Sequence, residues 1–310
     1  MGNLCLLAAS LVAQGQAPGW SLEVPTTPFA PPPVRRASIA RLCGVTPQRA
    51  AAFAVSEVHP PEFSSRSAMP IVARATTPRP RSGSQLYAQR WAALKAGQIY
   101  TRLAVNSFQA VWQQATRQPT YEEWVALLKQ EAQSLAYGQG TNRLTVLVGD
   151  SHALWFPSEQ LTQDRLWLNQ GISGDTTAGV LKRISAFRPT RPDSIHVMVG
   201  INDLRKGATD GEVLANLRQI MRQLRQDHPS ARVYIHSILP TRSIGIPAQR
   251  IRWLNHHIAT ATRQEGVHFI DLQPAFADAD GNLRASLTTD GLHLNARGYQ
   301  TWQAAVWPIF

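Results

Sequence analysis

A serine hydroxyl attacks a carbonyl only when a base takes its proton, so serines that end an apolar run beside titratable residues are where covalent chemistry would begin. Ser151 is one: residues 146–154 read VLVGDSHAL, four residues of apolar or glycine character running into Asp150, Ser151 and His152. Two histidines could serve it. His152 is adjacent, but neighbouring side chains leave the backbone in different directions, and an i, i+1 pair on a helix does not face itself. His293 stands far along the chain in Asp290-Gly291-Leu292-His293, with an acid three residues before it that could hold one ring nitrogen and stabilise the imidazolium formed during attack. Two further polar stretches, Asn169-Gln170-Gly171-Ile172-Ser173-Gly174-Asp175 and Gly200-Ile201-Asn202-Asp203, also fall between apolar runs. Each stretch alone is ordinary turn chemistry, with Asn202 readable as an Asx turn and Gly171 as a simple turn glycine.

The elements that would position these residues are legible from periodicity. From Arg143 onward, strand-like runs at Leu144–Val148, Ile195–Val199, Val233–Ile238 and Val267–Ile270 alternate with helical patterns at Thr177–Phe187, Gly211–Asp227, Pro247–Gln264 and Ala296–Trp307. Such alternation implies crossover connections and a parallel sheet covered on both faces, with ligands beyond the carboxyl ends of the strands. The polar stretches are expected at those ends. Upstream, apolar spacing between Leu86 and Ala136 predicts three helices, the last beginning at Tyr121 with Glu122 and Glu123 in its first turn.

Taken together and in this order, Gly149-Asp150-Ser151, LNQGISGDT, Gly200-Ile201-Asn202-Asp203 and DGLHLNARGY resemble the SGNH hydrolases, also called the GDSL esterase/lipase family. The resemblance covers residues 143–310. It implies an α/β fold, a three-layer α/β/α sandwich of flavodoxin-like type with a mainly parallel central sheet, which agrees with the alternation read above. It also implies a catalytic triad of Ser151, Asp290 and His293, and an oxyanion hole formed by the backbone N–H groups of Ser151 and Gly171 and the side-chain amide of Asn202. Removing one such donor typically raises the barrier by about 3 kcal/mol. Asp150 and Asp203 are expected to brace the site by accepting from backbone N–H groups. Asp175 is expected to cap the following helix. His152 stands where the family usually has leucine, and could line the acyl pocket, polarise a substrate group or cap a helical turn.

The implied function is a serine esterase acting on carboxylic esters (lipid, lysophospholipid or small acyl esters) through an acyl-enzyme, with no cofactor and no metal. The family includes lipases, lysophospholipases, thioesterases and carbohydrate O-acetylesterases. Two alternatives are open: acyl transfer to an alcohol or sugar-ester chemistry in the same site, or a tethering or regulatory protein acting through residues 1–142.

Composition bounds these readings. The chain of 310 residues is 44% hydrophobic and 16% charged, a globular balance. Its two cysteines, Cys5 and Cys43, make neither a disulfide framework nor a four-ligand zinc site. The net charge of +11 is spread along the chain and carried mostly by arginine, which argues against a nucleic-acid footprint and leaves weak attraction to anionic membranes open. Three parts are expected: a proline-rich arm over 1–85 with a short helical hairpin near residues 38–55, a helical appendage over 86–142, and the hydrolase domain over 143–310. The apolar run Leu4–Ala13 has no Lys or Arg before it, as a signal peptide would require, and is too short for a span. A cytoplasmic placement is expected, with export as the alternative.

Overall fold

The computed structural model describes residues 77–306. The expected hairpin near residues 38–55, and the arm up to residue 76, lie outside the described residues. Helix α1 (Gly83–Lys95) starts at the N-cap Ser82, whose hydroxyl accepts from the Gln85 N–H. The expected boundary between residues 85 and 86 therefore falls inside an element. A single turn, α2 (Gln109–Trp112), follows, and then α3 (Tyr121–Gly138), which opens with a capping box between Thr120 and Glu123 where the sequence places its start.

Five parallel strands form one sheet in the order β2-β1-β3-β4-β5: β1 (Leu144–Gly149), β2 (Leu166–Gly171), β3 (Ser194–Met198), β4 (Arg232–His236) and β5 (His268–Ile270). Strand β1 is flanked by β2 and β3, with Gly149 in register with Gly171 on one side and Met198 on the other. Ser151 thus emerges from a central strand. The intervening helices are α4 (Ser151–Leu154), α5 (Thr177–Arg183), α6 (Ile201–Arg205), α7 (Asp210–Asp227), α8 (Ala248–Glu265), α9 (Gln273–Phe276) and α10 (Ala296–Val306).

The strand alternation divides the core in two. Leu144, Val146, Val148, Ile195, Val197, Val233 and Ile235 pack with side chains from α3, α5, α7 and α8. Met198, Tyr234 and Ile270 turn the other way onto Phe276 of α9 and Tyr299, Trp302 and Val306 of α10. That is the expected α/β/α sandwich. Beneath α10 the second face is partly polar: Trp302 Nε1–H donates to His236 Nδ1 at 3.1 Å, so His236 Nε2 carries the proton directed at His196 Nδ1, 3.0 Å away. Burial pushes the His236 pKa down to about 3, as befits a neutral core histidine.

Strand β2 was not among the strands read from periodicity. Its sequence, LWLNQG, carries Asn169 and Gln170 at buried positions, and these polar residues break the apolar signal. Both amides donate to carbonyls outside the sheet: Asn169 Nδ2 to that of Ala153, and Gln170 Nε2 to that of Leu128 at 3.1 Å.

The helices upstream of β1 share the core of the sheet. Leu86, Trp124, Leu127 and Leu128 pack with Leu154 and Ile172, and Ala132 and Leu135 join the cluster under β1. Arg90, fully buried on α1, pairs with Glu131 of α3 and donates to the Asn169 carbonyl at 2.8 Å, with its guanidinium over the Tyr100 ring. A buried arginine with all these partners cross-links two helices to an edge strand.

Candidate active site

The chain must turn sharply from β1 into α4 for Ser151 to open a helix at the carboxyl edge of the sheet. Gly149 makes that turn with φ of 157°, and a Cβ there would lie 2.0 Å from the Met198 carbonyl oxygen on β3. Asp150 is the N-cap, its Oδ1 accepting the His152 N–H at 2.9 Å. Among the described residues the Ser151 N–H has no acceptor. An unpaired donor at a helix start suits a developing negative charge.

Arg183, buried at the end of α5, holds the neighbouring strand ends. It donates to the Gly149 carbonyl at 3.0 Å and the Gln170 carbonyl at 2.8 Å, and pairs with Asp175 at 2.7 Å. Nothing in the sequence marked it, because an arginine in an amphipathic helix normally faces water. Asp175 is consequently an ion-pair partner rather than the helix cap, a role taken by Thr176, whose hydroxyl accepts the Gly179 N–H.

Gly171 does not fit the expected oxyanion role. It lies within β2, and its N–H is already given to Asn169 Oδ1 at 2.9 Å. Its glycine character has another cause: a Cβ would lie 2.3 Å from the Leu154 N, so β2 can pass α4 only without a side chain there. Gly174, three residues on, sits in a turn at φ of 79°, and among the described residues its N–H has no acceptor. The next residue's carbonyl, that of Asp175, accepts from Asn202 Nδ2 at 3.0 Å. Among the described residues, Gly174, one residue before that carbonyl, is therefore the glycine of this stretch whose N–H is free.

Asn202 and Asp203 occupy the first turn of α6, at the end of β3, and both are buried. The Asn202 amide is oriented from both ends: Nδ2 points toward the Asp175 carbonyl and, at 3.4 Å, Asp150 Oδ2, while Oδ1 accepts from Arg205 at 3.1 Å. Asp203 accepts from the N–H and hydroxyl of Thr177, fixing the start of α5. Burial raises the Asp203 pKa even against those hydrogen bonds.

On the segment before α10, His293 Nδ1–H donates to Asp290 Oδ2 at 2.7 Å, and the His293 backbone N–H donates to Asp290 Oδ1, also at 2.7 Å. Thr288 closes the loop by accepting from the Gly291 N–H and donating to the His293 carbonyl. Burial would raise the Asp290 pKa, but the bonds from His293 and from the Leu292 N–H hold it at about 2. The carboxylate stays ionised, and among the described residues no protein group is bonded to His293 Nε2. His293 borders a cleft of about 810 Å³ walled by Trp155, Pro157, Leu294 and Tyr299, with Arg79 and Arg81 on its rim.

His152 is buried between the two halves of this arrangement. Its Nδ1 faces Asp150 Oδ1 at 3.0 Å, its Nε2 faces the Leu292 carbonyl at 3.1 Å, and its ring centroid lies 6.1 Å from that of His293. Asp150 thus does more than brace backbone, and His152 does not cap a helical turn. The structure brings Ser151, Asp150, His152, Asn202, Asp290 and His293 to one edge of the sheet and leaves Gly171 behind α4.

A parallel α/β/α sandwich with these segments at its strand ends defines an SGNH-type hydrolase fold. The GDSL-like lipase/acylhydrolase family matches residues 133–301, and the chain belongs to that family. Curated relatives include platelet-activating factor acetylhydrolase IB subunit alpha1 of Bos taurus, 32% identical over 136 residues, or 43% of this chain and 58% of the relative. Subunit alpha2 of Gallus gallus is 29% identical over 167 residues, covering 50% of this chain and 70% of the relative. The match to the first of these therefore spans little more than half of that relative's length. Among solved structures, a Streptococcus pneumonia protein described as a platelet activating factor superposes with a TM-score of 0.54 at 24% identity, covering 61% of this chain and 95% of that one. At that identity the likeness concerns the fold. Among the described residues no helix is long and apolar enough to cross a membrane.

Proposed function

We propose that this protein is a serine esterase that cleaves carboxylic esters through an acyl-enzyme on Ser151. The observation that carries the reading is the Asp290–His293 pair, bonded at 2.7 Å through Nδ1 with Nε2 left free, on a loop tied to the turn that presents Ser151. In this mechanism His293 Nε2 takes the Ser151 proton as Oγ attacks the carbonyl carbon, and Asp290 stabilises the imidazolium without accepting its proton. The oxyanion is met by the Ser151 N–H, the Asn202 amide and the Gly174 N–H, the last in place of Gly171. His293 then protonates the leaving alcohol, and water resolves the acyl-enzyme by the reverse sequence of proton transfers.

The cleft beside His293 offers aromatic and aliphatic walls for one half of the ester. Small acyl esters are the favoured substrates, a choice supported by the curated relatives, which are named as acetylhydrolases. The test is hydrolysis of p-nitrophenyl esters of increasing acyl length by the full chain and by its Ser151→Ala and His293→Ala variants, each verified as folded by circular dichroism. Turnover that is fastest with acetyl or butyryl and lost in both variants supports the reading. Equal turnover in either variant contradicts it.

A further inference from the structure

We propose that His152 is a positioning residue: its ring joins Asp150 to the Leu292 carbonyl, locks the acid–base loop onto the nucleophile turn, and holds a positive charge beside His293. The inference rests on the esterase reading above, since it assigns His293 as the base. The geometry is specific. Both ring nitrogens of His152 face oxygens that can only accept, a carboxylate at 3.0 Å and a carbonyl at 3.1 Å. A neutral imidazole has one N–H and would turn a lone pair toward one of those oxygens, whereas an imidazolium satisfies both. The ring is buried, so water cannot substitute for either partner.

The surrounding groups agree with a cation. Burial opposes charge on His152, but the Asp150 carboxylate, its hydrogen bond, the Leu292 carbonyl and the more distant Asp290 outweigh burial and raise the His152 pKa. From α10 the Tyr299 hydroxyl donates to the His152 carbonyl at 3.2 Å, and from α6 the Asn202 amide faces Asp150 while the Asp203 carboxylate faces Thr177. Among the described residues, the other ring with potential positive charge beside it is His293, 6.1 Å away between centroids. The leucine usual at this position could fill the space but could not tie the two segments together.

The consequence is measurable. The tie through Leu292 fixes the loop that carries His293, which bears on turnover more than on ground-state binding.

The test uses the full-length protein in two ways. In the wild type labelled with nitrogen-15 histidine, one histidine is expected to show both ring nitrogens protonated at neutral pH, a signature absent from His152→Leu and His152→Gln. A His152 signal with one unprotonated nitrogen at neutral pH overturns the proposal whatever the enzyme does. In kinetics with p-nitrophenyl acetate, kcat of His152→Leu is expected to fall about tenfold or more with KM nearly unchanged. His152→Gln, whose amide can still donate to the Leu292 carbonyl, should recover much of kcat. If His152→Leu does not fold, the wild-type spectrum still decides. A kcat equal to wild type in folded His152→Leu overturns the proposal. Failure of the esterase reading looks different: a wild type with no turnover, or turnover retained by Ser151→Ala.

Discussion

In the proposed mechanism Ser151 works with groups from the ends of β1, β2 and β3 and from the segment before α10, so single substitutions there should act on turnover far more than on folding. Ser151→Ala and His293→Ala should each lower kcat by about 10⁴-fold or more with unchanged circular dichroism. Asn202→Ala should lower kcat by about 100-fold, at a stability loss of about 1 kcal/mol for its lost bond to the Asp175 carbonyl. Asp290 has a folded pKa of about 2, below the ordinary value of 3.8, so its bonds to His293 are fully present above 3.8 and are lost only as pH falls through about 2. The kcat/KM profile should therefore show no carboxylate limb near pH 4, and one appearing there would contradict this. At this scale the sequence marked Ser151, Asp290 and His293 as candidates, because each lies in a short stretch rich in polar residues. It could not choose between Gly171 and Gly174 as an oxyanion donor, since two glycines three residues apart look alike until Gly171 is seen giving its N–H to Asn169. The bridge through His152 was not legible, because it depends on a carbonyl 140 residues away.

Among the elements, the approach of β2 to α4 and the grip of Arg183 on two strand ends make separate demands. Gly171→Ala would push a methyl to within 2.3 Å of backbone nitrogen, and since backbone cannot move aside easily, a loss of about 1–3 kcal/mol in chemical unfolding is expected. Arg183→Met would leave Asp175 buried without its cation and the carbonyls of Gly149 and Gln170 short of a donor. About 3 kcal/mol or more should be lost in the same assay, against little loss if the site were open to water. Four strands and four long helices were legible from apolar period alone. Strand β2 was not, because the Asn169 and Gln170 amides donate to carbonyls of α4 and α3, a pairing that only the tertiary structure supplies.

For the whole molecule, the helices before β1 are part of the hydrolase core. Leu127 and Leu128 of α3 are fully buried against Leu154 and Ile172, and Arg90 is fully buried between α1, α3 and β2. A chain beginning at residue 143 would expose this surface and should be insoluble or bind hydrophobic dyes, as measured by sedimentation and fluorescence. A soluble, active product would show that α1 and α3 are dispensable. The sequence predicted these helices but set them apart as an appendage, because amphipathic spacing reports an apolar face and not what covers it.

The central claim is that Ser151 is a nucleophile activated by His293. It is tested most directly by treating the full chain with a fluorophosphonate and locating the adduct by peptide mass spectrometry. The account predicts one adduct, on Ser151, forming at least about 100-fold more slowly in folded His293→Ala. An adduct on another residue, or equal labelling without His293, would contradict it.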